Sequence, residues 1–157
     1  MRRLFCFALT CTAIAAQADL RLASPFTDHV VLQRDAQVPI WGWASPGASI
    51  LVTSGWGGWA QTQAGLDGKW SLKLPTRPAG GPYEIEIQAS NGEKLMLRDV
   101  LIGEVWLCSG QSNMEMSVRK GYAPPLRNED REIELADYPR MRFFKGPVRF
   151  ADTPQET

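Results

Sequence analysis

Between Leu20 and Asp99 apolar and polar residues alternate in short runs divided by turn residues. In Lys69–Leu74, the residues Trp70, Leu72 and Leu74 alternate with Lys69, Ser71 and Lys73. In Tyr83–Ala89, Tyr83, Ile85, Ile87 and Ala89 alternate with Glu84, Glu86 and Gln88. A period of two marks a strand with one buried and one wet face. HVVLQR, QVPIWGWA, SILVTSG and WAQTQA read as further strands. Asp67-Gly68 and Asn91-Gly92 are two-residue hairpin signals, in which both positions take positive φ. Pro46-Gly47 and Gly80-Gly81-Pro82 punctuate the rest. Short strands at this spacing predict a β-sandwich domain over residues 19–99.

From Val100 the pattern changes. VLIGEVWLC is almost continuously apolar, which predicts a strand covered on both faces in a parallel sheet. Tyr122 to Pro125 reads as loop. Asn128 is placed to cap a short helix whose first turn holds Glu129 and Asp130, favourable against the helix dipole. Ile133 and Ala136 are expected to face inward, Pro139 to stop the helix, and RMRFF to resume as a strand. Strand, helix and strand form a βαβ unit with parallel strands. Two strands cannot bury both faces of a parallel sheet. Residues 100–157 therefore read as the opening of a larger, incomplete α/β domain. The alternative, a complete small protein with a disordered tail, leaves VLIGEVWLC without neighbours.

The first eighteen residues stand apart. A basic MRR, the apolar LFCFALTCTAIAA and the small-residue site Ala16-Gln17-Ala18 have the layout of a cleavable signal peptide, which predicts a secreted or periplasmic protein. A membrane-anchored N-terminus is the other reading, and the small residues ending the run speak against it. Cleavage removes two arginines from a balance of 17 basic and 17 acidic residues, leaving a net charge of −2. That charge offers no electrostatic reason to bind nucleic acid, and no later segment is apolar enough to span a bilayer. Cleavage also removes Cys6 and Cys11. Cys108 is then left alone, so no internal disulfide is available. Metal-ligand spacings and phosphate-binding glycine loops are missing from the remainder.

Candidate chemistry concentrates at Gly110-Gln111-Ser112-Asn113-Met114. In open α/β sheets ligands are met beyond the carboxyl ends of strands, where Ser112 is expected. Gly110 permits a tight turn there, and backbone N–H groups after the turn suit an oxyanion. The same residues match a capping box, Ser112-Asn113-Met114-Glu115, and spacing alone favours the cap over the nucleophile. Cys108 reads as a small buried hydrophobe, Ser109 as strand end, and Glu104 as a satisfied structural carboxylate. The single histidine, His29, follows Asp28. Neighbours on a strand point to opposite faces, so Asp28 cannot readily orient it as a base for Ser112. Trp41, Trp43, Trp70 and Trp106 are expected in the core. Trp56 and Trp59 lie in the glycine-rich SGWGGWA, where exposed rings suit sugar stacking. A carbohydrate-binding module without catalysis is accordingly a second hypothesis.

The block GEVWLCSGQSNM resembles the first motif of the sialate O-acetylesterase family of SGNH-type serine esterases. PFTDHVVLQRDAQVPIWGWASPG, DGKWSLKLP and GGPYEIEI are similar to that family's β-rich domain, and ADYPRMRFF to its next catalytic-domain strand. The resemblance implies a flavodoxin-like SGNH hydrolase domain, with Ser112 as the nucleophile that removes O-acetyl groups from sugars such as sialic acid. It implies Ser112's own N–H as an oxyanion donor, Gly110, Gln111 and Asn113 as support for the nucleophile turn, and no metal or organic cofactor. The family's Asp-x-x-His pair has no counterpart in this sequence, so the 157 residues alone are expected to be inactive.

Overall fold

Alternation becomes strands wherever a neighbouring strand can take the backbone hydrogen bonds. A computed structural model describes residues 19–118, 127–146 and 152–153; the expected leader over 1–18 and the loop Tyr122–Pro125 lie outside them. Eight strands form: β1 Arg21–Leu22, β2 Val31–Gln33, β3 Gln37–Trp43, β4 Ser49–Ser54, β5 Trp59–Gln63, β6 Lys69–Pro75, β7 Gly80–Ala89 and β8 Lys94–Gly103. They make a three-stranded sheet in the order β1-β3-β6 and a five-stranded sheet in the order β2-β8-β7-β4-β5. Pro39 is tolerated inside β3 because β1 pairs only with Gly42 and Trp43 and leaves that edge open.

The two sheets share one apolar core. Ile40 and Leu74 enter it from the smaller sheet, and Ile50, Val52, Ile85, Ile87 and Val100 from the larger; all are fully buried. Each such aliphatic side chain contributes about 1.5–3 kcal/mol by leaving water. Trp70, Leu72 and Leu74 are buried and the intervening Lys69, Ser71 and Lys73 exposed, as the alternation predicts. Trp41 does not follow the expectation, and Trp43 follows it only in part. The fully buried positions of β3 fall to Ile40 and Gly42, which leaves Trp41 exposed and Trp43 only partly buried, packed at the border of the core. Trp41 remains 38% exposed against the edge of Phe26, and Trp43 is half-buried under the Arg21 guanidinium. The space opposite Gly42 is taken by Trp70.

The hairpin turns are one residue longer than expected. Only the glycines of Asp67-Gly68 and Asn91-Gly92 have positive φ. Gly92 N–H donates to Ala89 O while Ala89 N–H donates to Glu93 O, and Gly65 to Lys69 repeats the pattern. These are the longer loops that end in a left-handed glycine.

The second strand system is also corrected. The continuous apolar run does signal a parallel, doubly covered strand, because Val100, Leu101 and Ile102 are all buried and β8 runs parallel to β2. Its partner is thus an earlier strand, and β8 runs unbroken from Lys94 across the boundary expected at residue 99. It stops at Gly103, where the last register partner on β2 is Gln33 and on β7 the final one is Gly80 against Ile102. Beyond that point no strand among the described residues continues the ladder. RMRFF is not a strand, and Met141, Phe143 and Phe144 are exposed. The helix α1 does form, over Glu129–Glu134, with Glu129 and Asp130 in its first turn. Asn128 precedes it in the left-handed region without a side-chain cap bond, and Ile133 and Ala136 are exposed. No βαβ unit is present among the described residues.

Candidate active site

Where β8 ends, the chain leaves the sheet under the control of β2. Gln33 Nε2 donates to Glu104 Oε2 at 2.9 Å, and Val105 N–H donates to Gln33 Oε1 at 2.9 Å. One amide side chain thus holds both a carboxylate and a backbone donor of the departing segment. Arg34 adds its Nε on Glu104 Oε1 at 2.6 Å and its own N–H on Gly103 O at 2.9 Å. The Gln33 hydrogen bond, followed by that from Arg34, holds the Glu104 carboxyl below the usual glutamate range. Glu104 is the satisfied structural carboxylate that its place in the sequence suggests.

The segment beyond is open. Val105, Trp106 and Leu107 are 53%, 83% and 95% exposed, and Cys108 is an exposed thiol. Trp106 and Cys108 were expected in a buried strand; the end of the ladder at Gly103 puts them in water instead. Ser112 is exposed and opens a 3₁₀ turn, Ser112–Glu115, in which Met114 N–H donates to Gln111 O. Gly110 serves close approach here, since its φ is not positive and a Cβ on it would lie 2.8 Å from Met114 Cγ. The side chains of Asn113 and Glu115 lie outside the described residues, and the capping box with them. Ser112 therefore stands free of any strand, with Gly110 and Gln111 immediately before it.

His29 has a partner, and it is not Asp28. Its Nδ1 meets Asp99 Oδ2, while Asp28 Oδ1 accepts the Arg98 N–H. Arg142 reaches the same aspartate, with Nη2 2.8 Å from Oδ2 and Nη1 on the Asp99 carbonyl oxygen. His29 and Asp99 both have positive φ. The hydrogen bond from His29, then that from Arg142, keeps the Asp99 carboxyl below the usual aspartate range. None of Gln33, Arg34, Asp99 and Arg142 was singled out from the sequence. The available signal was a polar residue at each end of the apolar VVL in HVVLQR.

The two tryptophans of SGWGGWA separate. Trp56 is half-buried, with Nε1 donating to Pro75 O at 2.9 Å and its ring edge-on to Tyr83. Gly58 makes that possible, because a Cβ there would lie 2.6 Å from Pro75 O and 2.7 Å from the indole nitrogen. Trp59, first residue of the edge strand β5, is 62% exposed. Farther along β5, Gln61 and Gln63, exposed at alternate positions after Trp59, line a trough with Ser49, Leu51, Gln88 and Ser90; the Trp59 ring is not part of its lining. Among the described residues no group of three or more His, Cys, Asp or Glu could hold a metal ion, and no helix is long and apolar enough to cross a membrane.

No family model matches the chain. Against curated proteins it is 34% identical over 145 residues to the sialate O-acetylesterase of Mus musculus and 37% identical over 146 residues to that of Homo sapiens, covering 83% and 86% of this chain. The chain is homologous to the sialate O-acetylesterases. It spans about a quarter of those relatives' length, 25% and 27%. Among solved structures it resembles a carbohydrate acetylesterase from Xanthomonas citri, with a TM-score of 0.55 and 46% identity over 60% of this chain and 22% of that one. The mostly β fold of the sialate O-acetylesterase homologue is thus shared with an acetylesterase of known structure.

Proposed function

We propose that the chain is the N-terminal part of an exported SGNH-type serine esterase that removes O-acetyl groups from sugars such as sialic acid. In this reading a β-sandwich is followed by the start of a flavodoxin-like domain. The exposed Trp106, Leu107, Phe143 and Phe144 belong to that start, before further layers close over them. The observation that carries the reading is Ser112, exposed on a turn beyond the sheet, in a homologue of named acetylesterases. Ser112 Oγ attacks the acetyl carbonyl carbon, and the ester C–O bond to the sugar breaks. The sugar leaves with a proton, and water releases acetate from the acetyl-enzyme. The Ser112 N–H is one donor to the oxyanion.

The base is assigned to the family's Asp-x-x-His block, which has no counterpart in these 157 residues; the one histidine present sits before β2, whereas the segment leading to Ser112 departs from the opposite, Gln33 end of that strand. The isolated chain is accordingly inactive. Fluorophosphonate labelling tests this. The complete esterase should label at Ser112 and lose at least about a thousandfold in kcat on Ser112→Ala, given how serine hydrolases respond to loss of the nucleophile. Full hydrolysis by the Ser112→Ala enzyme sinks the reading. A second reading, glycan retention by the β-domain, rests on the exposed Trp59, on the strand whose Gln61 and Gln63 line the trough.

A further inference from the structure

Two described stretches, one leading to Ser112 and one following α1, are held at opposite ends of the short parallel ladder between β2 and β8. At the start of the first, Glu104 and Val105 are held by Gln33 and Arg34, at the far end of β2. Past α1, Arg142 is held by Asp99, which His29 contacts from two residues before β2. Arg142 keeps only 20% of its side-chain surface, so this contact is not a loose surface pair. Between the two ties, Val31 and Leu32 lie in the parallel ladder with Leu101 and Ile102.

We propose that β2 with its flanks is a bracket, and that Gln33 and Arg34 are positioning residues for Ser112. The proposal rests on the esterase reading. Gln33 fits the role because its amide is used at both ends. The Nε2 donor meets a carboxylate and the Oε1 acceptor meets the next backbone N–H, which sets the direction in which the chain departs. Six residues separate Val105 from Ser112, so an error in that direction is carried to the hydroxyl. A misplacement of about 1 Å at a reacting atom costs on the order of a hundredfold in rate.

The test has two parts. In the 157-residue chain, amide exchange at Val105 should be slow, and Gln33→Ala should speed it at least about tenfold by removing the acceptor. In the complete esterase, Gln33→Glu sets a carboxylate against Glu104. It should lower kcat on an acetylated sugar by about ten- to a hundredfold, with KM within about twofold. Adding Glu104→Gln reverses the amide–carboxylate pair and should restore kcat. Ile50→Ala, in the core away from β2, supplies a control for lost stability alone. Wild-type kcat in Gln33→Glu, a loss no larger than that of Ile50→Ala at equal folded fraction, or a failed rescue overturns the bracket. Survival of activity in Ser112→Ala overturns the esterase reading instead, and Val105 exchange still reports on the clamp in that case.

Discussion

Replacing Trp56 and Trp59 one at a time separates two residues that look alike in the sequence and are not alike in the fold. Trp56→Ala removes the hydrogen bond to Pro75 O, worth about 1 kcal/mol net. It removes the edge contact with Tyr83, at 5.4 Å between ring centroids, worth about 0.5–1.5 kcal/mol. The half-buried indole also takes with it roughly half of the transfer and cavity loss of a fully buried ring, about 1.5 kcal/mol. The total is about 3 kcal/mol, or about 12–24 °C in Tm for a unit of this size. Trp59→Ala, at a site 62% exposed, should cost less than about 0.5 kcal/mol. Thermal unfolding by circular dichroism reads both. Glycan affinity electrophoresis well below either Tm then asks about binding, where only Trp59→Ala should weaken retention. A Trp56→Ala protein that melts within about 3 °C of wild type refutes the assignment of Trp56 to the fold. A larger loss in Trp59→Ala does the same.

Gly42→Ala places a Cβ 2.1 Å from Arg21 O and 3.0 Å from the Trp70 ring, so β1 must detach or β3 must shift. The expected loss is about 1–3 kcal/mol, read by urea denaturation, and an unchanged midpoint refutes the clash. The Glu104 and Asp99 ties should be acid-sensitive. Both carboxyls are held below their ordinary range, so their contribution is present above an unfolded value of about 4 and lost as pH falls through the lower folded values. The Tm advantage of wild type over Glu104→Gln should therefore be full at neutral pH and shrink as pH falls through the lowered folded-state value; a gap independent of pH contradicts the ion-pair account. Phenylmethanesulfonyl fluoride should add its sulfonyl group to the complete esterase and to its Cys108→Ser variant but not to Ser112→Ala, as read by intact mass; modification of Ser112→Ala to the wild-type extent contradicts the assignment.

Much of the two-sheet unit was legible because its strands have one wet face. The alternation of Lys69–Leu74 and Ile85–Ala89 states which side chains go inward, and the buried sets agree. Parity failed where a glycine held the inward place. With Gly42 inward, Trp41 lies outside and Trp43 only at the border of the core, and nothing in QVPIWGWA announces that a distant Trp70 fills the gap. The helix after Asn128 was legible from its acidic first turn, but its inward face was not, since no described neighbour packs on it.

Local patterning dictates what depends on nearest neighbours along the chain: strand period, turn glycines, a serine after Gly110-Gln111. It could also report that residues 100–103 are covered on both faces, but not by what. That β8 ends at Gly103, that its parallel partner is the earlier β2, and that Gln33 and Arg34 tether the segment leading to Ser112 depend on contacts some seventy residues apart in sequence. A hydrogen bond across that separation leaves no periodicity in either segment. It exists because the sheet ladder brings the end of one strand to the end of another, and only folding creates that meeting.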